Sequence, residues 1–111
     1  MKKLITQKEV SQFLTTITNN FPNFLAGIIT DRHGFPIASK LTQNFPYKEN
    51  TLALEAISRE KSFITHSNYI KVKRTLNEQE SIKLLLILKK PNVHIYAYND
   101  LKRIIRRQNL F

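Results

Sequence analysis

A strand that cannot tolerate water on either face, followed at once by a tight reversal and a proline, dominates this sequence. The run Phe24-Leu25-Ala26-Gly27-Ile28-Ile29-Thr30 is apolar on consecutive positions and not alternate ones. Such a strand is covered on both sides and belongs in the interior of a sheet. Asp31-Arg32-His33-Gly34 supplies turn chemistry: Asp bonds its own backbone two residues on, and Gly accepts a positive φ. Phe35, Ile37, Ser39 and Leu41 then alternate with Pro36, Ala38 and Lys40, which suits a strand with one wetter face. Pro36 has no N–H to give a central ladder, so this second strand is expected at a sheet edge.

The remaining elements are read from periodicity. Thr6-Gln7-Lys8-Glu9 fits the S/T-x-x-E capping box, and Val10, Phe13, Leu14 and Ile17 follow at helical spacing. A first helix is expected from about Gln7 to Asn20, ended by Phe21-Pro22. A second helix is expected from Tyr47 to Ile64, with Leu52, Ala53, Ala56, Ile57, Phe63 and Ile64 as its apolar stripe. Leu54 falls off that stripe beside Lys61, either as an unremarkable exposed leucine or as a point of contact for a partner. Tyr69–Leu76 alternates, with Ile70 and Val72 inward and Lys71 and Lys73 outward. Ile82–Leu88 is almost purely aliphatic and is expected mid-sheet. Val93–Tyr98 reads as a fifth strand. A last helix, capped by Asn99 or Asp100, turns Leu101, Ile104 and Ile105 inward and Lys102, Arg103, Arg106 and Arg107 outward. The expected element order is αββαβββα, an α+β domain with helices on both faces of the sheet.

With 111 residues the chain suffices for one domain, 1–111. The segment Met1–Glu9 turns polar where a secretory signal needs an apolar core of roughly 7–15 residues. No apolar run approaches the ~20 residues of a membrane span. A soluble, cytoplasmic protein is expected. The chain contains no cysteine and two glycines, which excludes thiolate metal sites, disulfides and a phosphate-cradling glycine loop. His33, His66 and His94 fall on a turn, a loop and a strand with no ligand spacing. No serine sits in a nucleophile-elbow context. No catalytic, cofactor-binding or metal-ligating residue is therefore expected, and no small-molecule substrate.

The element order and the hairpin wording, Leu25-Ala26-Gly27-Ile28-Ile29-Thr30-Asp31 through Gly34-Phe35-Pro36-Ile37-Ala38-Ser39, resemble the roadblock family of dynein light chains and small-GTPase regulators. Glu49-Asn50-Thr51-Leu52-Ala53-Leu54-Glu55-Ala56 is similar to the start of that family's second helix. Longin and profilin folds share the architecture. The resemblance implies an antiparallel five-stranded sheet in the order 2-1-5-4-3, sandwiched between helices. It implies a cytoplasmic, non-catalytic scaffold that pairs through its third strand with itself or with another roadblock-type chain. It also implies a small Ras-like GTPase as partner, or membership of a motor or trafficking complex. Leu54, Tyr69, Lys71 and Lys73 then lie near the dimer seam. Lys71, Lys73 and Arg74 would bring like charges together across a symmetric interface unless they point away from the partner or acids such as Glu55 or Glu60 offset them.

Eighteen Lys and Arg against eight Asp and Glu give a formal charge of +10. A charge of this size favours anionic partners, and Lys102, Arg103, Arg106 and Arg107 form a candidate face for nucleic acid or anionic lipid. The plainer reading is a solvated helix face whose cations suit the C-terminal end of the helix dipole.

Overall fold

The capping box forms as expected. The Thr6 hydroxyl oxygen accepts the Glu9 N–H at 3.1 Å, and the Glu9 carboxylate accepts the Thr6 N–H at 3.3 Å. This starts α1, Gln7–Thr18, which buries Val10, Leu14 and Ile17. The computed structural model describes residues 6–59, 61–90 and 95–111. The elements that follow are β1 (Phe24–Asp31), β2 (Pro36–Leu41), α2 (Glu49–Ile57), β3 (Tyr69–Thr75), β4 (Ile82–Lys89) and α3 (Ile95–Arg107). The chain is α+β, with one antiparallel sheet in the order β2-β1-β4-β3 among the described residues.

The central hairpin is built as its residues dictate. The Asp31 carboxylate accepts the N–H groups of His33 at 2.9 Å and Phe35 at 3.0 Å, and Gly34 takes φ 85°. A Cβ at Gly34 would also stand 3.0 Å from Ile57 Cδ1 on α2. Gly34→Ala is therefore expected to cost about 1–2 kcal/mol and to lower the melting temperature by roughly 5–10 °C, measurable by thermal unfolding. Pro36 pairs with Thr30 at the start of the edge strand, where the register shifts by a bulge.

Alternation along the strands divides the core in two. Ile29, Ala38, Val72, Leu84, Leu86 and Leu88 face α1 and α3, whereas Ala26, Ile28, Leu85 and Ile87 face α2. Gly27 allows α1 its close approach, since a Cβ there would lie 3.1 Å from Leu86 and 3.4 Å from Leu14. Among the described residues no helix is long and apolar enough to cross a membrane.

Three expectations are corrected. The fifth strand, Val93–Tyr98, is not formed over 95–98, which is the first turn of α3; residues 93 and 94 lie outside the described residues. Its place beside β1 is taken by β4, which pairs with β1 from Phe24↔Leu88 to Asp31↔Ile82. The physical reason is that Ala97, Leu101 and Ile104 also recur at helical spacing, so a six-residue alternating run is captured by the longer helix. Asn99 and Asp100 accordingly lie inside α3 and do not cap it. Second, α2 ends at Ile57 and not at Ile64, because Ser58 turns extended at ψ 138° and the following segment is drawn onto Glu55. Third, Phe63 is 42% exposed and not part of an apolar stripe.

Candidate functional site

β3 is a sheet edge, and its ladder to β4 determines which backbone groups are free. Leu76 N–H donates to the Ile82 carbonyl at 2.9 Å and Lys90 N–H to the Asn68 carbonyl at 2.8 Å. In the antiparallel register these fix Ile70, Val72 and Arg74 as the residues bonded to β4. Tyr69, Lys71, Lys73 and Thr75 therefore turn their backbone N–H and C=O groups outward. The Lys73 carbonyl accepts from the Arg74 guanidinium at 2.8 Å on that open side.

Beside this edge lies a buried carboxylate. Glu55 on α2 is 1% exposed, and its Oε1 is ion-paired with Lys71 Nζ. Ser62 donates to Oε1 at 3.3 Å and the Phe63 N–H to Oε2 at 2.8 Å. Lys71 also bonds the Ser62 hydroxyl, and Lys73 Nζ donates to the Ser58 carbonyl at 3.0 Å. Burial pushes the Glu55 carboxyl up, but the Lys71 hydrogen bond, the Phe63 N–H and the charges of Lys71 and Lys73 outweigh it. The carboxyl is held below its usual value. Lys71 and Lys73, expected to face outward, instead fold back onto α2 and its following segment.

The bonds linking Ser58, Ser62 and Phe63 with Lys73, Lys71 and Glu55 leave apolar surface beside them. Leu54 at 46% exposed and Phe63 at 42% flank an open groove of about 430 Å³ with Ile57, Ser58, Arg59 and Lys61. Of the four expected seam residues, Leu54 lines this groove, and Lys71 and Lys73 reach its neighbours, Glu55 and the Ser58 carbonyl. Tyr69 is instead clamped within the chain, its ring stacked on Phe45 at 5.8 Å and on His66 at 4.3 Å. Glu55, expected as an acid offsetting the edge cations across the interface, pairs with Lys71 inside the chain instead, and Phe63 is the site residue that the pattern left unassigned. Phe63 is hidden because helical spacing carries it into a helix that ends earlier, at Ile57.

The second candidate face is on the other side of the sheet. Lys102, Arg103, Arg106 and Arg107 are all exposed on α3, and Arg103 is ion-paired with Asp100. Arg74 belongs with them, lining a groove of about 400 Å³ with Thr75, Tyr98, Asn99, Lys102 and Ile105. His33 is in the exposed turn, His66 accepts the Asn68 N–H at 3.1 Å through Nδ1, and His94 lies outside the described residues. Among the described residues no three His, Asp or Glu side chains cluster as metal ligands. No family model matches the chain, and no curated protein or solved structure matches it either.

Proposed function

We propose that this chain is a non-catalytic dimeric adaptor of the roadblock type that engages a small Ras-like GTPase. The observation that carries the reading is the open β3 edge, with Leu54 and Phe63 exposed beside it. Two copies related by a twofold axis join their third strands into one continuous sheet, with the two α2 helices alongside. The exposed pair from each copy meets in the middle and supplies the apolar part of the seam. Lys71 is no obstacle to this pairing, because its charge is already offset by Glu55 within the same subunit. The helix distribution, α1 and α3 on one face and α2 on the other, is consistent with the roadblock and longin layering. The GTPase enters through the resemblance of the hairpin and of the start of α2.

The experiment is a two-part measurement. Sedimentation across a wide concentration range should give a dimer; a chain that stays monomeric alone points to pairing with a different roadblock chain, as in a motor or trafficking complex. Calorimetry against the small GTPases of the same genome, in both nucleotide states, should find one with at least a tenfold preference, about 1.4 kcal/mol. If none binds in a nucleotide-dependent way, the GTPase assignment fails.

A further inference from the structure

The expected basic surface divides when placed on the fold. Lys71 and Lys73 face α2 and are engaged by Glu55 and the Ser58 carbonyl. Arg74, one residue on, points to the opposite face and meets α3. There it shares a groove with Lys102, while Arg103, Arg106 and Arg107 continue round the exposed arc of α3. On a helix, Lys102 and Arg106 are one turn apart, about 6 Å along the axis, and Arg103 and Arg107 repeat that step beside them. Tyr96 lies two turns before Arg103 on the same outward arc and is 84% exposed. The acidic residues nearby are Asp100, already paired with Arg103, and Glu78, which lines the adjoining groove with Arg106.

From this arrangement we infer that the outer face of α3, together with Arg74, binds single-stranded nucleic acid. The cation rows track consecutive phosphates, and the exposed Tyr96 ring offers a base a stacking platform. Asn99 and Thr75 line the groove between Arg74 and Lys102 and provide hydrogen-bonding groups at its floor. A lipid surface fits less well. The apolar side of α3 is committed to the core, with Leu101 and Ala97 buried, so the helix has no greasy face to insert. The inference does not rest on the adaptor reading: four of its five cations lie on α3, on the face of the sheet opposite α2, and Arg74 is the one residue at the β3 edge.

Fluorescence anisotropy with a labelled oligouridylate tests it. Five phosphate contacts predict a logarithmic salt slope of about −3 to −4. Replacing Lys102, Arg103, Arg106 and Arg107 together by Gln is expected to weaken binding at least thirtyfold. A charge-matched control at the exposed residues Lys8, Arg32, Lys40 and Lys48, each to Gln, should stay within about threefold of the parent chain. Tyr96→Ala should lose about tenfold with the salt slope unchanged. Several results overturn the inference: no anisotropy change at low salt, equal loss in the control, or no effect of Tyr96→Ala. Tighter binding to phosphatidylserine vesicles than to the oligonucleotide overturns it in favour of a membrane face. Failure of the dimer in sedimentation leaves all of these readouts intact.

Discussion

Lys71→Met is expected to lower the unfolding free energy by about 2–3 kcal/mol at neutral pH, and the loss should shrink as the solution is acidified. Methionine keeps most of the aliphatic stem that Lys71 lays over the sheet and removes only the ammonium. Removing one partner of a fully buried pair costs roughly 3–5 kcal/mol. Lys71 is 26% exposed, so its share is screened and the lower figure applies. Glu55 then keeps the Phe63 N–H and the Ser62 hydroxyl but has no counter-charge in contact. The pH dependence follows from the direction of its shift. In the parent chain the folded carboxyl titrates below its ordinary value of 4.5. Its contribution is therefore fully present above that value and is lost as pH falls through the folded pKa. In Lys71→Met the Lys71 hydrogen bond and charge are gone, so burial is opposed only by the Phe63 N–H and the more distant Lys73 charge, and the carboxyl rises relative to the parent. The variant then protonates Glu55 more readily, so its deficit relative to the parent narrows towards pH 4. Urea unfolding of both chains at several pH values isolates the effect, because every other carboxyl cancels in the difference. Adding Glu55→Gln to Lys71→Met should recover much of the loss. A deficit that is constant with pH would show that the pair contributes by packing and not by charge.

How legible this arrangement is in the sequence depends on whether the deciding interaction is periodic or specific. The hairpin is legible because Asp31, Gly34 and Pro36 each act through their own backbone. Burial of β4 is legible because Leu84 to Leu88 leave no wet side to choose. The outward set Lys102, Arg103, Arg106 and Arg107 follows from helical spacing alone, and the structure keeps all four exposed. The segment from Ile95 to Tyr98 is different, since its residues satisfy the strand and helix periods equally. What decides it is the direct pairing of β1 with β4, a tertiary fact with no local signature. The end of α2 is similarly hidden. Nothing in Ser58 to Phe63 forbids helix, but the Phe63 N–H and Lys71 converge on one buried carboxylate, and that satisfaction outweighs another helical turn. The same convergence exposes Phe63 and creates the groove beside Leu54, so Leu54 and Glu55 could be picked out from the sequence while the second apolar residue of the seam could not.

Lys73→Pro should abolish self-association while leaving the monomer folded. Lys73 directs its N–H away from β4, so proline removes no bond from the sheet that holds β3. It removes the donor that an added strand needs and places a ring where that strand would lie. Val72, the preceding residue, is already extended, as a residue before proline prefers. In a twofold dimer the change occurs twice, so association is expected to weaken at least a hundredfold. The monomer should lose no more than about 1 kcal/mol, from the fixed φ and the loss of the bond from Lys73 to Ser58. Lys73→Gln, which loses the charge but keeps the N–H, should still dimerise. Sedimentation velocity distinguishes the three chains directly, with circular dichroism to establish that each is folded. Leu54→Glu with Phe63→Glu attacks the same seam through its side chains and should give the same monomer by an independent route. If Lys73→Pro folds and still dimerises, the two subunits do not meet along β3, and the adaptor loses its edge-to-edge geometry.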